Sequence, residues 1–181
     1  VCLDAYKGGD HNGREDGGGR HFLPGLAAVF IASLAARLAY FATMEGGPYY
    51  QIKRLQGTDP HRFAQWARAI SGGDWIGSGV FNQEPLYPYL LAAADAWAPL
   101  FDGGADIARL AQFVLGSLSA AMAFALAWRI RGTLAGLAAG ALVAFNGPTI
   151  FFEGALLRTS RITFLNTAVV VSLCWPWRRR L

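Results

Sequence analysis

A chain of 181 residues with 54% hydrophobic and only 15% charged side chains is poorer in charge than a soluble domain, where about 25% is usual. Mean hydropathy is +0.29, and the apolar residues fall in long runs with the charges between them, the pattern of a membrane protein. The net charge of +4 comes from basic residues beside apolar runs, with no basic stripe interleaved with aromatics, so the charges read as topology signals and nucleic acid is excluded as a partner.

In chain order, residues 1–21 are polar and Gly-rich and are predicted to be a disordered tail. Residues 22–43 form an apolar run long enough to span a bilayer, without a small-residue cleavage site, and are read as a retained helix interrupted by Arg37. Residues 44–84 are a polar outer loop that contains one amphipathic helix. Asp59 suits its N-cap and Pro60 its first helical position. Phe63, Trp66, Ala67 and Ile70 share one face, and Gly72-Gly73 stops the helix. With its Trp and basic residues it is expected to lie along the membrane surface.

Residues 85–101 are apolar but short and carry Asp95. Residues 109–128 and 133–152 are better spans, joined by the basic turn Arg129-Ile130-Arg131-Gly132, and residues 162–177 form the last apolar stretch, ending at Arg178-Arg179-Arg180. Gly132, Gly136 and Gly140 make a small-residue stripe that lets another helix approach closely. Trp75, Tyr87, Tyr89 and Trp97 read as interfacial aromatics. Cys2 and Cys174 show no metal spacing and no reason to pair.

Lys7, Arg14 and Arg20 precede the first span and place the N-terminus in the cytoplasm. Every basic cluster then falls inside only if residues 85–101 are a non-spanning juxtamembrane segment. The expected fold is all-α: a polytopic membrane helix bundle of about four spanning helices, residues 22–181, plus juxtamembrane helices in the first outer loop. Glu153 and Asp59 then lie at the same outer face.

Six positions on this layout could carry chemistry. Asp59 is either a general base at a helix start or an ordinary cap. Arg37, inside a span, calls for a partner carboxylate or a lipid phosphate, or else snorkels to the surface. Arg158 and Arg161 are three apart and can face together, which suits a phosphate diester, though basic residues near helix ends are often only anchors. Glu153 precedes them, and Glu84 is either a second pocket carboxylate or a solvated loop residue.

The order Asp59-Pro60-His61-Arg62-Phe63-Ala64-Gln65-Trp66, then Gly73-Asp74-Trp75, then Gln83-Glu84-Pro85-Leu86-Tyr87-Pro88-Tyr89 resembles the first outer loop of GT-C glycosyltransferases, dolichyl-phosphate-mannose–protein mannosyltransferases above all. Arg37 followed by Tyr40, and Glu153 before Leu156-Leu157-Arg158-Thr159-Ser160, extend the likeness across residues 37–160. The resemblance implies an inverting transfer of a sugar from a polyprenyl-phosphate donor to an acceptor hydroxyl at the outer face of an inner or plasma membrane. It implies that Asp59 is the general base, that Glu153 positions the acceptor or a divalent metal, and that Arg37, Arg158 or Arg161 holds the lipid phosphate. Asp59-Pro60 departs from the paired acidic residues of many relatives. The family also carries ten or more spans, so an N-terminal fragment with an incomplete donor cavity is expected. The competing expectation is a non-catalytic membrane protein that binds a lipid or a helical partner.

Overall fold

The computed structural model describes residues 15–44, 47, 50, 54–76, 84–97 and 104–175. Among these the chain forms seven helices and no strand: α1 (Glu15–Met44), α2 (Asp59–Ser71), α3 (Leu86–Ala96), α4 (Gly104–Arg131), α5 (Thr133–Ala144), α6 (Gly147–Gly154) and α7 (Thr159–Cys174). Residues 1–14, Gln83, residues 98–101 and the Arg178–Arg180 cluster lie outside the described residues. The helix expected from residue 22 begins at Glu15, so residues 15–21 belong to α1 and not to a tail.

Two helices, α1 and α4, are long and apolar enough to cross a membrane. The number rises to three if α5 and α6 count as one span bent by 45°, and α7 is a shorter apolar helix. The bend corrects the reading of residues 133–152 as one continuous span. Its cause is local: α5 stops at Phe145, and Asn146 caps a new helix, its Oδ1 accepting from the Thr149 N–H at 3.0 Å. Pro148 falls in the first turn of α6, where its missing N–H costs nothing, whereas a continuous helix would have lost a hydrogen bond there.

Polarity is inverted relative to a soluble protein. Leu23, Ile31, Leu134, Leu142 and Leu173 are exposed, while Ser33, Arg37, Arg109, Gln112, Ser117 and Glu153 are buried. Water would reject such a surface and hydrocarbon would accept it. The glycine stripe works inside the chain: a Cβ on Gly136 would meet Trp128 Cβ at 2.9 Å, and one on Gly140 would meet Val29 Cγ1 at 2.8 Å. Only hydrogen at these positions lets α5 settle against α4 and α1.

The bundle has two distinct ends. At one, Phe22 packs on Trp128 with ring centroids 4.5 Å apart, and the Arg129 guanidinium lies 4.6 Å over the Trp175 ring. At the other, Phe63, Ala67 and Ile70 of α2, Tyr87, Leu91 and Ala92 of α3, Ala105 of α4 and Leu156 form one apolar cluster. The α2 face predicted from helical spacing is the face that packs here, with Trp66 partly buried beside it. At 11 residues α3 is roughly 16 Å long, about half a hydrocarbon core.

Thr58, not Asp59, caps α2: its Oγ1 accepts from the His61 N–H at 3.4 Å, which makes Asp59 the first helical residue. The threonine hydroxyl both accepts from the helix and donates to Leu55 O at 2.8 Å, so it ties the cap to the preceding turn. Gly72-Gly73 does stop α2, Gly73 at φ +100° in the left-handed region.

Candidate functional site

The polar residues of the second end converge on one short segment, 153–161, which turns the corner from α6 into α7. Its first residue, Glu153, lies in the last turn of α6 facing α1 and is fully buried. Arg37 meets it in a forked pair, Nε donating to Oε2 at 2.7 Å and Nη2 to Oε1 at 3.2 Å. Arg37 Nη1 donates to Ser33 Oγ at 2.5 Å, to Ser33 O at 3.2 Å and to Ala144 O at 3.1 Å. The guanidinium thus also satisfies a carbonyl that the α5–α6 break leaves open. Gly116 of α4 makes room for the pair: a Cβ there would lie 2.7 Å from Glu153 Cδ and 2.8 Å from Arg37 Nε. The carboxylate demanded by an arginine inside a span is Glu153.

A second arginine grips the next residue. Arg109, on the second turn of α4 and 1% exposed, donates from Nε to Gly154 O at 3.0 Å, from Nη1 to Asp106 Oδ1 at 2.6 Å and from Nη2 to Tyr50 O at 2.7 Å. Its guanidinium lies 4.6 Å over the Tyr50 ring, whose hydroxyl donates to Asp106 Oδ2 at 2.8 Å. This node joins the chain after α1 to the corner before α7. Asp106-x-x-Arg109 at the head of an apolar helix is an i, i+3 ion pair, and that spacing is the signal by which sequence reasoning could have found it.

Leu156 turns the corner at φ +57°, a left-handed conformation that costs a branched residue roughly 1–2 kcal/mol. Burial of its side chain in the apolar cluster under α2 offsets that strain. Leu157 O accepts from Gln112 Nε2 at 2.8 Å, and the same nitrogen donates to the Tyr87 hydroxyl at 2.9 Å. Tyr87 is therefore a buried hydrogen-bonding residue and not an interfacial aromatic; Trp75 and Trp97 are the exposed members of that group. Burial pushes the Tyr87 phenol well above its ordinary value of 10.0, and the bond from Gln112 and the nearby Arg161 and Arg109 charges only partly oppose this.

The start of α7, like those of α3 and α5, has no side-chain cap, and it alone of these three has an arginine at the cap and another in the first turn. Its N-cap, Arg158, makes no side-chain cap hydrogen bond, and the first turn holds no acidic residue. Arg158 is half exposed and pairs with the half-exposed Glu84 at 3.4 Å. Arg161 lies 4.0 Å over the Tyr87 ring, and its Nη1 is buried with no hydrogen-bond partner. Ser160 Oγ and Gln112 Oε1 are likewise buried and unpartnered. Two arginines thus stand at the positive end of a helix dipole, offset by the half-exposed Glu84 carboxylate, and a further anion would be favoured there.

Of the expected site residues, the structure joins Arg37 to Glu153 and Glu84 to Arg158, sets Arg161 against Tyr87, and places Asp59 exposed at the head of α2. Pro60, Ala105, Leu156 and Asp95 line one small cavity, so the head of α2 borders the corner. A larger cavity of about 480 Å³ runs between α2 and α3, bordered by Ile70, Trp75, Tyr89 and Asp95. Among the described residues no group of three His, Cys, Asp or Glu side chains is placed to hold a metal ion. Comparison with protein-family models, with curated proteins and with solved structures gives no match.

Proposed function

We propose that this chain is part of a membrane glycosyltransferase that takes its sugar from a polyprenyl-phosphate donor and passes it, with inversion, to an acceptor hydroxyl. One observation carries the reading: the start of α7, flanked by Arg158 and Arg161, follows two residues after Leu156, which packs in the apolar cluster under the helix that presents Asp59. Two guanidiniums and a helix N-terminus suit a lipid-linked phosphate, whose departure needs charge stabilisation more than a proton. Asp59 is the general base of this proposal, exposed and therefore open to an incoming hydroxyl. Arg37 and Glu153 hold the corner in shape, since each saturates the other. In this reading α1, α4, the bent α5–α6 pair and α7 make about four spans. The N-terminus is cytoplasmic, and the site faces the outer side of an inner or plasma membrane.

The competing reading, a partner helix docked on the glycine stripe, has its surface occupied by Phe124, Trp128 and Val29 of the same chain. A non-catalytic lipid binder would share the phosphate site and is separated by a transfer assay. The chain in lipid nanodiscs is expected to bind farnesyl phosphate saturably, and Arg161→Gln to weaken that binding about tenfold or more. Binding no stronger than that of farnesol would end the proposal. In the full-length enzyme Asp59→Asn is expected to abolish transfer and leave binding intact; lipid binding without transfer in the unsubstituted full-length protein would favour the non-catalytic reading.

A further inference from the structure

The orphaned polar atoms beside Tyr87 say more about the ligand than its charge. Gln112 is 4% exposed, and its amide orientation is fixed by its neighbours. Leu157 O can only accept, so the nitrogen must face it, and Oε1 is left pointing away with no donor. Arg161 Nη1 and Ser160 Oγ, the latter fully buried, stand unpartnered on the neighbouring first turn of α7. Gln112 and Arg161 meet the same phenol, one at its hydroxyl and the other over its ring face. Buried polar groups in folded proteins nearly always have partners, so two orphans on side chains that meet one phenol, with a third on the residue before Arg161, mark a place where something else supplies them.

Their chemistry is mixed. Arg161 Nη1 is a donor and suits a phosphate oxygen; the Ser160 hydroxyl can donate to the same group. Gln112 Oε1 is an acceptor and would repel a phosphate oxygen; it requires an O–H or N–H. A bare lipid phosphate satisfies the first two and leaves the third orphaned. A phosphate esterified to a polyol satisfies all three.

We infer that Gln112 is a specificity-determining residue of the α7 site, reading a hydroxyl of the sugar carried on the lipid phosphate that Ser160 and Arg161 hold. The inference rests on the phosphate reading above and deepens it. Tyr87 acts as a positioning residue: its hydroxyl and ring locate the amide and the guanidinium relative to each other.

The test compares farnesyl phosphate with farnesyl phosphomannose, each titrated against the chain in nanodiscs. The unsubstituted protein is expected to prefer the mannosyl lipid by about tenfold, the size of one buried acceptor satisfied or left alone. Equal affinities would overturn the inference and mean that the orphans hold a buried water only. Gln112→Met is expected to erase the preference while keeping farnesyl phosphate binding, which also shows that the variant is folded. A preference that survives in this variant would overturn the role of Gln112. If neither lipid binds better than farnesol, the phosphate reading itself has failed. That outcome is distinct from lipids that bind alike.

Discussion

Two arginines on the same corner of the molecule have opposite fates. Arg37 is fully buried and every nitrogen has a partner, two of its bonds on the Glu153 carboxylate and the rest on Ser33 and Ala144. Arg161 is half-buried, rests on an aromatic ring and keeps one nitrogen without a partner. A saturated ion pair in an apolar bundle holds helices together and has nothing left with which to bind. An arginine left without a carboxylate keeps hydrogen-bonding capacity, which the proposed phosphate site would use. The difference separates frame from site more sharply than sequence position does, since the corner segment 153–161 contains both Glu153 and Arg161.

The comparison predicts the largest loss of stability on the saturated side. Glu153→Ala leaves the Arg37 guanidinium buried without its counter-charge and is expected to cost about 3–5 kcal/mol, read by thermal unfolding in detergent. Replacing both residues together with Leu is expected to cost markedly less; a double variant as unstable as the single one would show that the pair is not the cause. Gly116→Ala attacks the same pair from α4 and is expected to cost about 1–3 kcal/mol by forcing the two side chains off their geometry.

Thr58→Ala is expected to cost about 1 kcal/mol by removing the α2 cap, while Asp59→Asn changes stability less, because the carboxylate is not the cap. A larger loss from Asp59→Asn than from Thr58→Ala would reverse that assignment. Tyr87 lies between the two arginine sites in effect. Its folded phenol ionises well above the unfolded one, so its contribution to stability is constant below about pH 10 and falls as pH rises past that value. Alkaline unfolding should therefore shift upward in Tyr87→Phe. The smallest stability change belongs to the unsaturated side: Arg158→Ala breaks a half-exposed pair and is expected to shift stability by about 0–1 kcal/mol while weakening farnesyl phosphate binding.

Much of the frame was legible before the coordinates. The apolar runs at 22–43 and 109–128 lie within α1 and α4, and the helical spacing of Phe63, Ala67 and Ile70 identified the packing face of α2. The break at residues 145–147 was legible too, in Asn146-Gly147-Pro148, but continuous hydropathy masked it. That an arginine in α1 needs a carboxylate follows from membrane energetics; which one it takes depends on the bend that turns Glu153 inward. Arg109 and Gln112 were hidden for a different reason. The Asp106–Arg109 spacing hinted at an ion pair, but the corner carbonyls that Arg109 and Gln112 bind, on either side of the left-handed Leu156, exist only once the chain has turned there.

The Arg37–Glu153 pair also sets an order of events during synthesis. The two residues are 116 positions apart, so at ribosomal rates of about 5–20 residues per second the arginine reaches the translocon roughly 6–23 s before its counter-ion exists. Over that interval α1 carries a lone cation whose insertion penalty is about 2.5–3.5 kcal/mol. Within its own helix only the Ser33 hydroxyl and carbonyl are at hand to offset that penalty until α6 brings the carboxylate.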